Sequence, residues 1–276
     1  KKITRRAFCS ILLALPFSAR AQQQAKIPRI GILIPASAAS YSARVEAFRQ
    51  RIREQGYVEG KNIVIEVRYG DGKPERLPDL AAELVRLKVD VIVAGSSGVI
   101  SAAQKASPTI PIVLALVSDP VGSGIVSSLA RPGGNVTGLS IMTPDLDGKR
   151  LELLKEAFPK VVRVAFLWAP GTTRGNQPLT EMEAVAKALG LKLISLEVRS
   201  LDDFDSAFAR AKRERVQALI TTPNSLIVTQ QRQVLDFAAK NRLPAMYPSS
   251  DYVEAGGLMS YGPNYTDLWR RAADFV

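Results

Sequence analysis

From Arg29 onward the chain alternates short buried apolar runs with amphipathic ones, and it does so twice in the same order. "RIGILI" (29–34) reads as a strand. "SARVEAFRQRIREQGY" (42–57) reads as a helix with an apolar stripe of Val45, Phe48 and Ile52 and a Gly56 stop. "NIVIEVRY" (62–69), "DVIVAG" (90–95) and "IPIVLAL" (110–116) read as further strands. Helices over 76–89 and about 99–105 lie between them. The order recurs as strands at 162–168, 192–198, 217–222 and 243–248, separated by helices at 180–191, 201–216 and 227–242. Both series leave through Gly-Gly segments, "PGGNVTGLS" (132–140) and "EAGGLMSYG" (254–262). Strands joined by helices of this length imply parallel sheets with right-handed crossovers. The expected fold is α/β: two similar doubly wound parallel-sheet lobes with a ligand cleft between them. Residues 27–140 plus 262–276 form lobe one in this reading, and 141–261 form lobe two.

The residues before this alternation read as a processing segment. "KKITRRAFCSILLALPFSARAQQQ" has a basic start, an apolar stretch from Ala7 to Phe17 too short to span a bilayer, and a small-x-small Ala19-Arg20-Ala21 triplet. "TRRAF" resembles a twin-arginine export signal, with a general-secretion leader as the other reading. Either one sends the product out of the cytoplasm, to the periplasm, with cleavage after Ala21. The segment holds Lys1, Lys2, Arg5, Arg6 and Arg20 and no acid. It therefore removes five of the eleven net positive charges and leaves +6 on the remainder, spread along helices as a solvated surface rather than a nucleic-acid face. Cys9, the sole cysteine, lies inside it and lacks the small and apolar neighbours of a lipid-bearing site. A mature chain without thiols must draw its stability from core burial.

In doubly wound sheets the loops at the carboxyl ends of the strands line the ligand crevice. "PIVLALVSDPVGSG" carries Ser118 and Asp119 to such an end, where Gly122 and Gly124 let the backbone turn or approach a bound group. Asp119 either faces the cleft or fixes its own turn ahead of Pro120. Ser96 and Ser97 precede a helix, as helix caps, as holders of a carboxylate, or as both. Asn224 and Ser225, in the equivalent loop of lobe two, have the same two readings. Asp251, in "YPSSDYV", would suit an ammonium group and hence an amino acid. An unpaired buried carboxylate is costly, so Asp251 must be wet, paired or matched by the ligand. Tyr261 reads as a lid or as hinge packing, and Arg174 as a carboxylate contact or an exposed loop residue.

The residue inventory argues against most catalytic machinery. There is no histidine, which excludes histidine-based triads and the commonest general base and metal ligand. Without a cysteine after the leader, thiol chemistry and thiolate metal sites go too. No phosphate-binding G-x-x-x-x-G-K-[ST] loop occurs, and Gly122 and Gly124 give only a partial dinucleotide pattern. No cofactor and no metal are expected.

Four segments together resemble the substrate-binding proteins of ATP-binding cassette importers, in particular the bacterial group that includes tryptophan- and tyrosine-type binding proteins. They are "EQGYVEGKNIVIEVRY", "RLPDLAAELVRLKVDVIVAG", "SDPVGSGIVSSLARPGGNVTGLS" and "YVEAGGLMSYGPN", and the likeness runs over nearly all of 27–276. The resemblance implies the type I periplasmic-binding fold. It also implies capture of an amino acid or other small carboxylate in the cleft, delivery to a membrane permease, no enzymatic activity and a monomer. Carried over by position, the ligand loops include Ser37, Tyr41, Ser96, Ser97, Ser118, Asp119, Asn224, Ser225, Asp251 and Tyr261. Two segments depart from the group's pattern: "GSSGV" stands where relatives often have Gly-Thr-Pro, and "APGTTRGN" where they often have Asn-Pro repeats. Both lie on the cleft, so solute identity does not transfer. The resemblance also leads one to expect a further C-terminal segment beyond Val276. The rival readings are a ligand-sensing receptor domain feeding a signalling partner and a nucleotide-dependent enzyme on a similar fold.

Overall fold

The computed structural model of the chain describes residues 26–141, 144–170 and 177–276. The leader with Cys9 and the expected cleavage point, and Arg174, lie outside the described residues. The first sheet holds β1 (Arg29–Ile34), β2 (Val64–Tyr69), β3 (Val91–Ala94), β4 (Ile112–Ser118) and β5 (Val136–Ile141), in the order β2-β1-β3-β4-β5. The second holds β6 (Arg163–Trp168), β7 (Lys192–Glu197), β8 (Ala218–Thr221), β9 (Ala245–Tyr247) and β10 (Met259–Ser260), in the order β10-β9-β8-β6-β7. Matching β6 to β1 and β7 to β2 makes the two orders the same. Every strand pair within them is parallel. The repeat read from the sequence is thus a repeat of topology.

Helices cover both faces of each sheet, as parallel strands require. On the first, α1 (Ala38–Glu54) packs one face through Tyr41, Val45, Phe48 and Ile52. On the other, α2 (Leu77–Arg86) and α3 (Ser97–Ala106) bring Leu80, Leu84, Val99 and Ile100. On the second, α4 (Pro144–Ala157) and α5 (Gln177–Ala188) bury Leu151, Leu154 and Met182 on one side. Its other face receives Phe204 and Phe208 from α6 (Asp203–Arg213) and Val234 and Phe237 from a later helix. Phe208 and Phe237 stack at 4.2 Å. Trp168 is fully buried at the end of β6, its indole N–H donating to Ser195 Oγ at 2.8 Å.

Three features depart from the sequence reading. The single helix expected over 227–242 is two, α7 (Ser225–Thr229) and α8 (Gln231–Lys240), broken at Gln230. The break has a packing reason: Val228 enters the core of the first lobe while Val234 and Leu235 face the second. The Gly-Gly exits also carry structure. One leads into β5 and α4; the other follows α9 (Ser250–Glu254) and leads into β10 and then α10 (Tyr265–Ala272). Finally, α10 returns to the first sheet and lies on α1 and β4, with Trp269 fully buried.

β5 shows how tightly one of these exits is specified. Gly138 has φ +127, and a Cβ there would lie 2.4 Å from the Leu114 carbonyl oxygen, beside a register shift between Leu114 and Val117. Gly138→Ala therefore meets both a forbidden backbone region and a backbone clash. It should cost about 1–3 kcal/mol in urea unfolding.

Candidate functional site

The carboxyl ends of both sets of strands face one another, and a cavity of about 460 Å³ lies between them. Lobe one contributes the turn after β3, where Ser96, extended at φ −160, caps α3 by accepting from the Val99 amide at 3.4 Å. Lobe two contributes the matching turn after β8, where Asn224 Oδ1 accepts from the Leu226 amide at 2.8 Å. Ser96, Ser97, Gly98, Asn224 and Ser225 all stand on the cavity wall. The same local chemistry, a short polar cap after a buried strand, has been placed twice around one space. Apolar wall surface comes from Leu77, Leu116, Val117 and Ile141 on one side and Ala169, Val198 and Leu226 on the other.

Charge enters the wall through Arg44, Arg199 and Asp147. Arg44 projects from α1 and is only 3% exposed. Its guanidinium lies 4.5 Å from the centre of the Tyr41 ring and 5.1 Å from that of Tyr265, and Tyr41 in turn meets Trp269 edge-on at 5.7 Å. Cation and rings attract one another most where water is excluded. From the other lobe Asp251 completes the arrangement: Arg44 Nε donates to Oδ2 at 3.0 Å and Nη2 to the same oxygen at 2.5 Å. Asp147 is likewise paired, with the fully buried Arg150 of its own helix. Burial pushes the phenols of Tyr252 and Tyr265 far above their usual range, and that of Tyr247 up to about 12. Burial raises Tyr41 too, by more than Arg44 lowers it. The phenols around Arg44 are therefore neutral, and Asp251 is its counter-ion.

Among the residues singled out from sequence, Tyr41, Ser96, Ser97, Asn224 and Ser225 come together on the wall. Ser37 caps α1, accepting from the Ser40 amide and sharing a 2.8 Å hydrogen bond with the Ser40 hydroxyl. Ser118 ends β4. Asp119 holds its own turn, with φ +49 and Oδ1 accepting from the Gly122 amide at 2.8 Å. Asp251 is spent on Arg44 and is not a wall residue, so the expected pairing with a ligand ammonium has no free carboxylate there. Tyr261 is 40% exposed beside a neighbouring groove formed with Ile141, Leu146, Gly262 and Pro263. Its carbonyl accepts from Arg150 Nε at 2.6 Å. Sequence reasoning missed Arg44, Asp147, Thr222 and Tyr265. Arg44 did carry a signal, since it stands three residues after Tyr41 and next to Val45, inside the stripe that buries α1, where an arginine is rare unless paired.

A model of the ABC transporter substrate binding protein family matches residues 29–276. A curated tyrosine-binding protein of Clostridioides difficile (strain R20291) is 26% identical over 231 residues, 84% of this chain and 66% of that protein. The chain thus spans just under two thirds of that relative's length. Among solved structures, a conserved domain protein from Vibrio cholerae is 26% identical, with a TM-score of 0.81 over 91% of this chain and 83% of the other. An ABC domain in complex with L-Trp from Streptococcus pneumoniae is 23% identical, with a TM-score of 0.79 over 90% and 83%, and shares the fold.

Proposed function

The chain belongs to the ABC transporter substrate-binding protein family, and on that footing we propose that it is the exported solute receptor of an ABC importer, taking a small carboxylate between its lobes and passing it to a membrane permease. The observation that carries this reading is the cavity of about 460 Å³ shared by the two lobes, of a size to enclose one small organic molecule. The first-turn amides of α3 have no intrahelical acceptor, Ser96 and Ser97 add hydroxyls, and the helix dipole favours an anion at that point. Arg44 and Arg199 bring guanidinium groups to the wall, each with its own carboxylate partner, Asp251 and Glu197. The apolar remainder suits a hydrocarbon or aromatic body. An α-amino acid, the class named for the tyrosine-binding relative and the L-Trp complex, would place its ammonium on neutral acceptors such as Asn224, Ser225 and the wall phenols. The solute leaves unchanged in this reading, since the described wall residues are binding groups, with no nucleophile paired with a base among them.

Calorimetric titration with aromatic amino acids, aromatic acids and short aliphatic acids tests this. One of these classes should bind at one site per chain, and converting the best solute to its amide should weaken it by at least about tenfold. Small-angle scattering should show a more compact particle at saturation, and an unchanged shape would count against the reading. Tight binding of a nucleotide, or amide and acid binding equally, would overturn the reading.

A further inference from the structure

The parallel topology places the amino ends of β6, β7, β8 and β9, and the carboxyl ends of α5, α6 and α8, at the end of lobe two opposite the cavity. That end is densely basic. The connections into the strands bring Lys160, Arg215 and Arg242, and Lys192 opens β7; all four are exposed. The helices end on Lys187, on Lys212 and Arg213, and on Lys240, also exposed. None of these forms an ion pair among the described residues. Glu156 and Glu214 lie close to these positions along the chain, and Glu183 stands four residues before Lys187. Residues from Lys26 onward hold a net +6.

Basic groups at helix carboxyl ends also offset helix dipoles, but two observations go beyond that. Lys160, Lys192, Arg215 and Arg242 are not in helices. The corresponding end of lobe one, built on the same plan, pairs about half of its basic groups, Lys26 with Asp90, Arg29 with Glu66, Arg49 with Glu59 and Arg51 with Glu54, and leaves Lys61, Arg86, Lys88 and Lys105 without an ion pair among the described residues. Arg215 and Arg242 moreover sit at φ +51 and +52, just past helix ends, where glycine is the unstrained residue.

We propose that this basic end of lobe two docks on an anionic phospholipid surface. Its charges are spread across the ends of several strands and helices, with Val162 as the exposed apolar side chain among them. A protein interface needs an apolar, shape-matched centre, and single-stranded nucleic acid needs aromatic platforms. A headgroup layer asks only for clustered positive charge near the membrane. Docking there leaves the cavity, on the far side of lobe two, free to load and unload. The proposal concerns where the receptor rests and does not depend on which solute it carries.

The test is co-sedimentation of the chain beginning at Gln22, which retains every strand and helix described, with vesicles of phosphatidylcholine alone or with phosphatidylglycerol. The wild type should prefer the anionic vesicles and be released by salt. A variant carrying Lys212→Gln, Arg213→Gln, Arg215→Gly and Arg242→Gly should partition at least about tenfold less onto them. Its melting temperature should be unchanged or raised, since both glycines enter the left-handed region they favour. Solute affinity should be unchanged. Equal binding to both vesicles, equal binding by the variant, or capture by polyglutamate or RNA with vesicles ignored would each overturn the proposal.

Discussion

Replacing Asp251 with Asn should weaken solute binding by about 30- to 900-fold, although its carboxylate does not stand on the cavity wall. The reason is its partner. Arg44 is nearly fully buried, belongs to lobe one, and makes both of its hydrogen bonds to a carboxylate with Asp251 of lobe two. Removing one member of a buried pair leaves the other charged in a low-dielectric setting, a loss of about 3–5 kcal/mol when burial is complete. Asp251 keeps 20% of its side-chain exposure, so about 2–4 kcal/mol is expected here. Because the pair bridges the lobes, that loss falls on the conformation that encloses the solute. Arg44→Met should weaken binding further, since the cation between Tyr41 and Tyr265 goes as well. Calorimetry on the two single variants and the double variant measures the coupling. A lower melting temperature with unaltered solute affinity would show that the pair supports the scaffold and has no part in closure.

Gly262→Ala should lower the melting temperature by about 5–10 °C. Gly262 lies on the segment leading from β10 in lobe two to α10 on lobe one. A Cβ there would stand 2.1 Å from the Pro248 carbonyl oxygen and 3.1 Å from Arg150 Nη2. The first contact is with backbone, which cannot rotate away as a side chain would. Arg150 allows little relief, because it is fully buried, donates to the Tyr261 carbonyl at 2.6 Å and pairs with Asp147. The crossing segment must therefore shift, and with it the angle at which the lobes meet. Differential scanning calorimetry gives the stability change, and scattering with and without solute gives the shape. A wild-type melting curve for Gly262→Ala would mean that the segment follows another path.

Much of this was legible in the linear order of residues. The strand at 29–34 and the stripe of α1 are local patterns, where burial and periodicity report the same thing. The caps Ser96 and Asn224 were legible for a similar reason: a short polar residue between a buried strand and a helix has few other uses. The break at Gln230 was hidden because its cause, Val228 packing into the opposite lobe, is a contact between distant segments. Asp251 shows the limit most plainly. Its carboxylate pointed to a charged partner, but the partner is 207 positions away on a helix of the other lobe.

Sequence by itself determined the two parallel sheets, the repeated order of strands and helices along the chain and the polar turns at their rims, because periodicity, capping and glycine placement act over a few residues at a time. Only the tertiary structure decided which charges meet. It joined Arg44 to Asp251 across the lobes, kept Asp119 in its own turn, and collected unpaired lysines and arginines at one end of lobe two. Coulomb interactions depend on distance in space, and distance in space is set by how the two lobes pack.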